Sequence, residues 1–107
     1  MSLKGRDLIS IRDLSRDEID EILTAARRMI PYAEGKRSSS VLRSRILTLA
    51  FFEPSTRTRL SFDTAVQRLG GRSVTIADAS VSSMRKGESL HDTIKMLSQY
   101  GDAIVLR

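Results

Sequence analysis

Apolar residues in the first third of the chain recur at the spacing of an amphipathic helix. The sequence Ser-Arg-Asp-Glu at 15–18 has the form of a capping box, with Ser15 as the N-cap and Glu18 reaching back to it. Pro31 is expected to end this helix at or just after Ile30, because a residue that precedes proline disfavours the helical conformation. The chain is therefore predicted to open with one helix.

Short apolar segments then alternate with two further helical patterns. The segments 45–52, 72–77 and 102–107 are predicted strands, and the first reads as a strand buried on both faces. The apolar residues of the first helical pattern, which stops at 70–71, are Leu60, Phe62, Ala65, Val66 and Leu69. The second pattern covers about 89–100 and is expected to bury Leu90, Ile94 and Leu97. The order helix-β-α-β-α-β predicts an α/β fold, a parallel sheet with right-handed crossovers and helices on both faces.

Composition narrows the class of protein. The chain has 107 residues, of which 40% are hydrophobic and 29% charged, as in one soluble globular domain. No apolar run is long enough for a membrane helix and residues 1–11 lack the apolar core of a signal peptide, so we expect a cytoplasmic protein. The absence of cysteine excludes disulfides, thiolate metal sites and a cysteine nucleophile. The lone histidine, His91, excludes a histidine-rich metal site and is expected at the surface.

The net charge of +5 suggests an anionic partner. The chain has no run of five or six basic residues and few aromatic residues, and its densest basic cluster is interleaved with hydroxyl residues. This pattern favours a small anion. A basic nucleic-acid-binding module stays open as a remote alternative.

That cluster is the segment FEPSTRTRLSF at 52–62, between the first predicted strand and its helix. Free N–H groups at a helix N-terminus form an anion site together with the helix dipole, and Arg57 adds a fork that matches phosphate oxygens. Ser55 or Thr56 can instead act simply as a helix cap. Arg57 and Arg59 are locally unfavourable beside the positive end of a helix dipole unless an anion neutralises them. The segment therefore predicts a site for a small dianion.

Three ordered motifs resemble those of the aspartate and ornithine carbamoyltransferases. FFEPSTRTRLSF at 51–62 resembles the carbamoyl phosphate signature, and DAIVLR at 102–107 resembles the strand that ends in a phosphate-contacting arginine. SSMRKGESLHDT at 82–93 resembles the loop of the aspartate enzymes, since the ornithine enzymes lack its lysine. The resemblance implies that residues 1–107 are the N-terminal part of a Rossmann-like carbamoyl phosphate-binding domain. The chain is then expected to be the front part of a longer protein, without the aspartate-binding domain.

The resemblance implies that hydroxyl and basic side chains bind carbamoyl phosphate. This set comprises Ser55, Thr56, Arg57, Thr58, Ser82, Lys86 and Arg107. Arg57 would stabilise charge on the departing phosphate, and Thr58 and Arg107 would reach the carbonyl oxygen. Arg57, Thr58, Lys86 and Arg107 are thus the expected catalytic residues.

The loop motif implies a contact between subunits. Ser82, with Ser83 as the alternative, and Lys86 would enter the active site of a neighbouring subunit, which implies a homotrimer with shared active sites. Whether regulatory chains bind is left open. Without the resemblance, Lys86 would be read as an ordinary solvated lysine in a polar loop.

Glu53 is implied to pair with arginines of the second domain when the two domains close. Read without the resemblance, Glu53 is a candidate partner of Arg57 or Arg59, and Arg107 is a charge at a strand end. Arg59, which also matches the carbamoyl phosphate signature, is expected to have a structural role.

The implied activity is carbamoyl transfer from carbamoyl phosphate to L-aspartate in pyrimidine biosynthesis, without a metal or organic cofactor. The 107 residues alone are expected to be inactive because the groups that bind aspartate are missing. An ornithine carbamoyltransferase is the nearest alternative. No nucleic acid or membrane partner is implied.

Overall fold

The computed structural model describes residues 3–76 and 89–107. The chain divides into two compact units, Met1–Lys36 and Arg37–Arg107. The predicted loop contacts Ser82, Ser83 and Lys86 lie outside the described residues, as does the last residue of the second predicted strand. None of the described helices is long and apolar enough to cross a membrane.

The first unit contains a short 3-10 helix, Ile11–Asp13, and the helix α1, Arg16–Ala33. The predicted capping box is confirmed: the Glu18 N–H donates to Ser15 Oγ at 3.1 Å, and the Ser15 N–H donates to Glu18 Oε1 at 2.8 Å. The prediction that Pro31 ends the helix is wrong, because α1 continues to Ala33. In the last turn the missing proline N–H removes one helical hydrogen bond. The helical pattern continues past it, with the Glu34 N–H donating to the Ile30 carbonyl at 2.9 Å.

The second unit alternates strands and helices. Its elements are β1 Ile46–Ala50, α2 Thr56–Arg68, β2 Arg72–Ile76, α3 Leu90–Leu97 and β3 Ala103–Leu106. The three strands form a parallel sheet in the order β2-β1-β3. The predicted α/β fold is confirmed, and β1 and β3 are three and two residues shorter than expected.

The central strand β1 is covered on both faces, as its sequence predicts. Leu49, Ala50 and Phe51 are each at most 1% exposed. Leu47 pairs in register with Ser73 and Ala103, and this face carries α2, whereas the face that contains Thr48 carries α3. The helices therefore lie on opposite faces of the sheet.

The helices bury less apolar surface than their patterns suggest. In α2, Val66 is 4% exposed, whereas Leu60 and Phe62 remain 49% and 43% exposed. In α3, Leu97 is buried, but the prediction for Leu90 is wrong, since it is 47% exposed. Leu90 is the first residue of α3, where a side chain reaches beyond the packed turns. Thr93 of α3, which the apolar pattern did not select, is fully buried.

The amino ends of β1 and β3 are joined by Asp102. Its Oδ2 accepts a hydrogen bond from the Ile46 N–H at 2.8 Å, and its Oδ1 lies 3.5 Å from Arg45 Nη1. The neighbouring Gly101 has no room for a Cβ, which would collide with the Thr48 side chain and lie 3.1 Å from the Ile46 carbonyl oxygen. This close approach sets the start of β3 against β1.

Candidate anion-binding site

The carboxyl ends of β1 and β3 meet at one edge of the sheet. The Phe52 N–H donates to the Arg107 carbonyl at 2.7 Å, and the Arg107 N–H donates to the Ala50 carbonyl at 2.9 Å. The segment after β1 and the residue after β3 are thus neighbours, although they lie more than 50 positions apart in sequence. Ligands of open parallel sheets bind beyond this edge.

The N-terminus of α2 begins within that segment. Ser55 is the N-cap, and the first backbone hydrogen bond of the helix runs from the Arg59 N–H to the Ser55 carbonyl at 2.9 Å. The N–H groups of 56–58 therefore precede the first helical bond, and they have no acceptor among residues 3–76 and 89–107. Free N–H groups at the positive end of the helix dipole attract anions.

The Ser55 hydroxyl is buried but does not cap the helix. Of the two cap candidates in the sequence, Ser55 and Thr56, Ser55 is the N-cap, yet its side chain accepts no cap hydrogen bond. Its Oγ is buried without a hydrogen-bond partner in the described part of the chain. A buried hydroxyl without a partner costs about 1–3 kcal/mol, and an anion that accepted a hydrogen bond from this group would offset that cost.

Arg107 is held by two side chains from the segment after β1. Its Nε donates to Glu53 Oε1 at 2.8 Å, and its Nη1 donates to Thr58 Oγ1 at 2.8 Å. The Thr58 hydroxyl accepts this bond and therefore keeps its own proton for another acceptor. The structure brings Thr58 and Arg107 together, as the resemblance implies.

The partner of Glu53 was not found from the sequence. Glu53 pairs with Arg107, and the guanidinium and carboxylate side chains are 49% and 58% exposed. It does not pair with Arg57 or Arg59 in this structure. Its pairing with a second domain stays a prediction. The pairing of β1 with β3 places Phe52 beside Arg107 and so brings Glu53 close to Arg107. This strand pairing cannot be read from the order of the elements in the sequence.

The exposed side chain of Arg57 has no ion pair or hydrogen bond with the described residues 3–76 and 89–107. Its carbonyl oxygen accepts from Ser61 Oγ at 2.8 Å. A guanidinium at the first turn of α2 without a protein partner suits an external anion. The other predicted phosphate contact on this turn, Thr56, is also exposed.

Asp63 forms a second polar cluster on α2. Its Oδ1 accepts from Ser73 Oγ at 2.6 Å and from Gln67 Nε2 at 2.8 Å. These two hydrogen bonds, and the charge of Arg59 one turn earlier, lower the pKa of the Asp63 carboxyl. The structural role expected for Arg59 stays a prediction.

His91 lies at the surface of α3. The His91 side chain is 85% exposed and lies 3.5 Å from the Asp92 carboxylate, which confirms its surface position. Among the described residues, no three histidine, cysteine or acidic side chains come together as metal ligands.

A family model supplies the context for this site. The model described as "Aspartate/ornithine carbamoyltransferase, carbamoyl-P binding domain" matches residues 6–107. The chain belongs to this family. A carbamoyltransferase relative from Methanothrix thermoacetophila, an aspartate carbamoyltransferase catalytic subunit, is 55% identical over 105 residues, which are 98% of this chain and 34% of that protein. The chain thus spans about a third of the length of the curated relatives it matches.

Solved carbamoyltransferase structures share the fold. The catalytic subunit of M. jannaschii aspartate transcarbamoylase is 53% identical, with a TM-score of 0.84, over 94% of this chain and 33% of that one. Aspartate transcarbamoylase from Trypanosoma cruzi in complex with carbamoyl phosphate is 40% identical, with a TM-score of 0.87, over 99% of this chain and 34% of that one.

Proposed function

We propose that this chain is the carbamoyl phosphate-binding part of an aspartate carbamoyltransferase. The enzyme would transfer a carbamoyl group to L-aspartate and release N-carbamoyl-L-aspartate and phosphate. The observation that carries this proposal is the buried Ser55 hydroxyl, which has no partner among the described residues and lies three residues before Thr58. With the free N–H groups of 56–58, it offers several donors to one small dianion.

The proposed reaction depends on positioning and charge stabilisation, and it needs no metal or organic cofactor. The amino nitrogen of aspartate attacks the carbonyl carbon and forms a C–N bond. The tetrahedral intermediate then breaks its C–O bond to phosphate, and the departing phosphate accepts the proton that the amine loses. Arg107 and the free proton of Thr58 are suited to the developing oxyanion, because they already lie within hydrogen-bond distance of each other.

Phosphate departure is assigned to the first turn of α2. The guanidinium of Arg57 and the N–H groups of 56–58 would neutralise the charge that accumulates on the leaving group. Ser82 and Lys86 would complete the site from the loop of a neighbouring subunit in a homotrimer, as the loop motif suggests. Glu53 would leave Arg107 for the second domain when the two domains close.

The choice of aspartate as the second substrate rests on the loop motif with Lys86 and on the names of the relatives. The family description covers both aspartate and ornithine enzymes. The relatives described above are aspartate carbamoyltransferases, including the archaeal subunit with 55% identity. An enzyme of this specificity would act in cytoplasmic pyrimidine biosynthesis.

Ligand stabilisation tests the anion site. A ligand that binds only the folded state raises the thermal midpoint of unfolding, so phosphate or carbamoyl phosphate should raise the midpoint of this chain. Arg57→Ala should abolish most of that rise, while Arg68→Ala, at the other end of α2, should keep it. An equal rise in Arg57→Ala and the unmodified chain would remove Arg57 from the site.

The second substrate is tested by activity. An enzyme of the relatives' full length that carries these residues should carbamoylate L-aspartate in preference to L-ornithine. The reverse preference would make it an ornithine carbamoyltransferase.

A further inference from the structure

A polar link joins the middle of α2 to the start of β2. Asp63 Oδ1 accepts from Ser73 Oγ at 2.6 Å, and Ser73 is paired in register with Leu47 on the sheet face that α2 covers. The same oxygen accepts from Gln67, one turn further along the helix, at 2.8 Å. Asp63 is thus held both by its own helix and by a neighbouring strand.

The rotation of α2 about its axis decides which arginine faces the anion. Successive helical residues turn by about 100°, so Arg57 and Arg59 project about 160° apart around the helix. Arg59 lies about 40° from Asp63, on the side of β2, whereas Arg57 lies about 120° away from Asp63. Fixing Asp63 against Ser73 therefore keeps Arg59 on the β2 side and Arg57 away from it.

Few other contacts fix this rotation. Val66 is the buried apolar residue of α2, and the side chains of Leu60 and Phe62 remain 49% and 43% exposed. The hydrogen bond of Thr58 to Arg107 involves one of the groups that would contact the substrate. Among residues 3–76 and 89–107, the link from Asp63 to Ser73 is the side-chain hydrogen bond between α2 and the sheet that lies outside the proposed site.

We propose that Asp63 is a positioning residue for the anion site, because its hydrogen bond to Ser73 fixes the rotation of α2 so that Arg57, and not Arg59, is presented to the phosphate. This inference rests on the proposed function. It assigns no contact between Asp63 and the substrate.

Four variants separate this link from the charge of Asp63 and from its helical partner. Asp63→Ala and Ser73→Ala each remove the link. Asp63→Asn removes the charge but keeps the carbonyl oxygen that accepts from Ser73 and Gln67. Gln67→Ala removes the contact within the helix and keeps the link to β2. Asp63→Ala and Asp63→Asn therefore differ in the hydrogen bond and not in net charge.

The measurement is the affinity of the 107-residue chain for inorganic phosphate by titration calorimetry. Asp63→Ala and Ser73→Ala should weaken binding about fivefold, within the range of indirect effects of packed residues on a distant ligand. Asp63→Asn and Gln67→Ala should bind as the unmodified chain does. A general loss of stability would lower the thermal midpoint of unfolding, but it would not separate Asp63→Ala and Ser73→Ala from Asp63→Asn and Gln67→Ala in phosphate affinity. Circular dichroism at the titration temperature checks that each variant is folded.

Four outcomes would overturn the inference. Equal weakening by Asp63→Asn and Asp63→Ala would assign the effect to charge, and equal weakening by Gln67→Ala and Ser73→Ala would assign it to order within the helix. Unchanged affinity in all four variants would reject the positioning role and leave the proposed function standing. If the unmodified chain does not bind phosphate, the proposed function itself fails, and the positioning role fails with it.

Discussion

Arginine is an unfavourable residue in the first turn of a helix, and α2 has two arginines within its first four residues. That conflict is the reason why the sequence predicts an anion site there, since a bound anion would neutralise Arg57. The pairing of Arg107 with Glu53 was not predictable in the same way. It depends on the strand register that brings two residues 54 positions apart to the same edge of the sheet.

The carboxylate of Glu53 neutralises Arg107 in the unliganded chain, so it competes with an incoming anion. Glu53→Gln keeps an oxygen that accepts from Arg107 Nε but removes the negative charge. We expect phosphate affinity to rise about threefold, and stability to change by less than about 1 kcal/mol because the pair is half exposed. Titration calorimetry and chemical denaturation measure the two effects.

Asp102→Asn is the matched control for that variant. It also removes a carboxylate that pairs with an arginine, but at the opposite ends of the strands. Its phosphate affinity should equal that of the unmodified chain. Equal or weaker binding in Glu53→Gln than in the unmodified chain would show that Glu53 does not compete for Arg107.

The sequence predicted the helices and strands that the structure describes in the sheet unit, because each has a clear apolar pattern and a clear stop. The predictions were wrong where a residue's local preference was overridden by its position in the folded chain. Pro31 was compatible with the last turn of α1, and Leu90 was exposed because it begins α3. Thr93 was missed because the prediction followed the apolar positions of α3, and a buried polar residue between them adds nothing to that pattern.

The link between α2 and β2 makes stability depend on pH. The pKa of Asp63 is lowered in the folded chain, mainly by its hydrogen bonds to Ser73 and Gln67. A lowered folded pKa gives stability that is fully present above the unfolded value of about 4 and is lost as pH falls through the folded value. The unfolding free energy should therefore decline less steeply below about pH 4 in Asp63→Asn than in the unmodified chain.

Denaturation at a series of pH values measures this difference. Asp92→Asn offers a control, since Asp92 is an exposed carboxylate in the first turn of another helix. Parallel pH profiles for Asp63→Asn and the unmodified chain would mean that Asp63 has the same pKa in the folded and unfolded states.

Taken as a whole molecule, the chain carries the proposed site for one of the two substrates, carbamoyl phosphate. Its donors lie at one edge of the sheet, where Arg107, the residue after β3, contacts Thr58 in the first turn of α2. The chain spans about a third of its relatives' length. The chain alone should therefore bind phosphate and show little or no carbamoyl transfer.

In the complete enzyme, we expect active sites to be shared between subunits. The motif around Lys86 suggests a lysine that serves a neighbouring subunit, so each site would combine Arg57 of one chain with Lys86 of another. In enzymes of the relatives' full length, Arg57→Ala and Lys86→Ala should each be nearly inactive. Mixed trimers of the two variants should regain activity, because some interfaces then combine an intact Arg57 with an intact Lys86. Reassociated wild-type trimers control for losses during mixing. If mixed trimers form, as native mass spectrometry can establish, and activity stays at the level of the single variants, then Lys86 acts within its own subunit or outside the reaction.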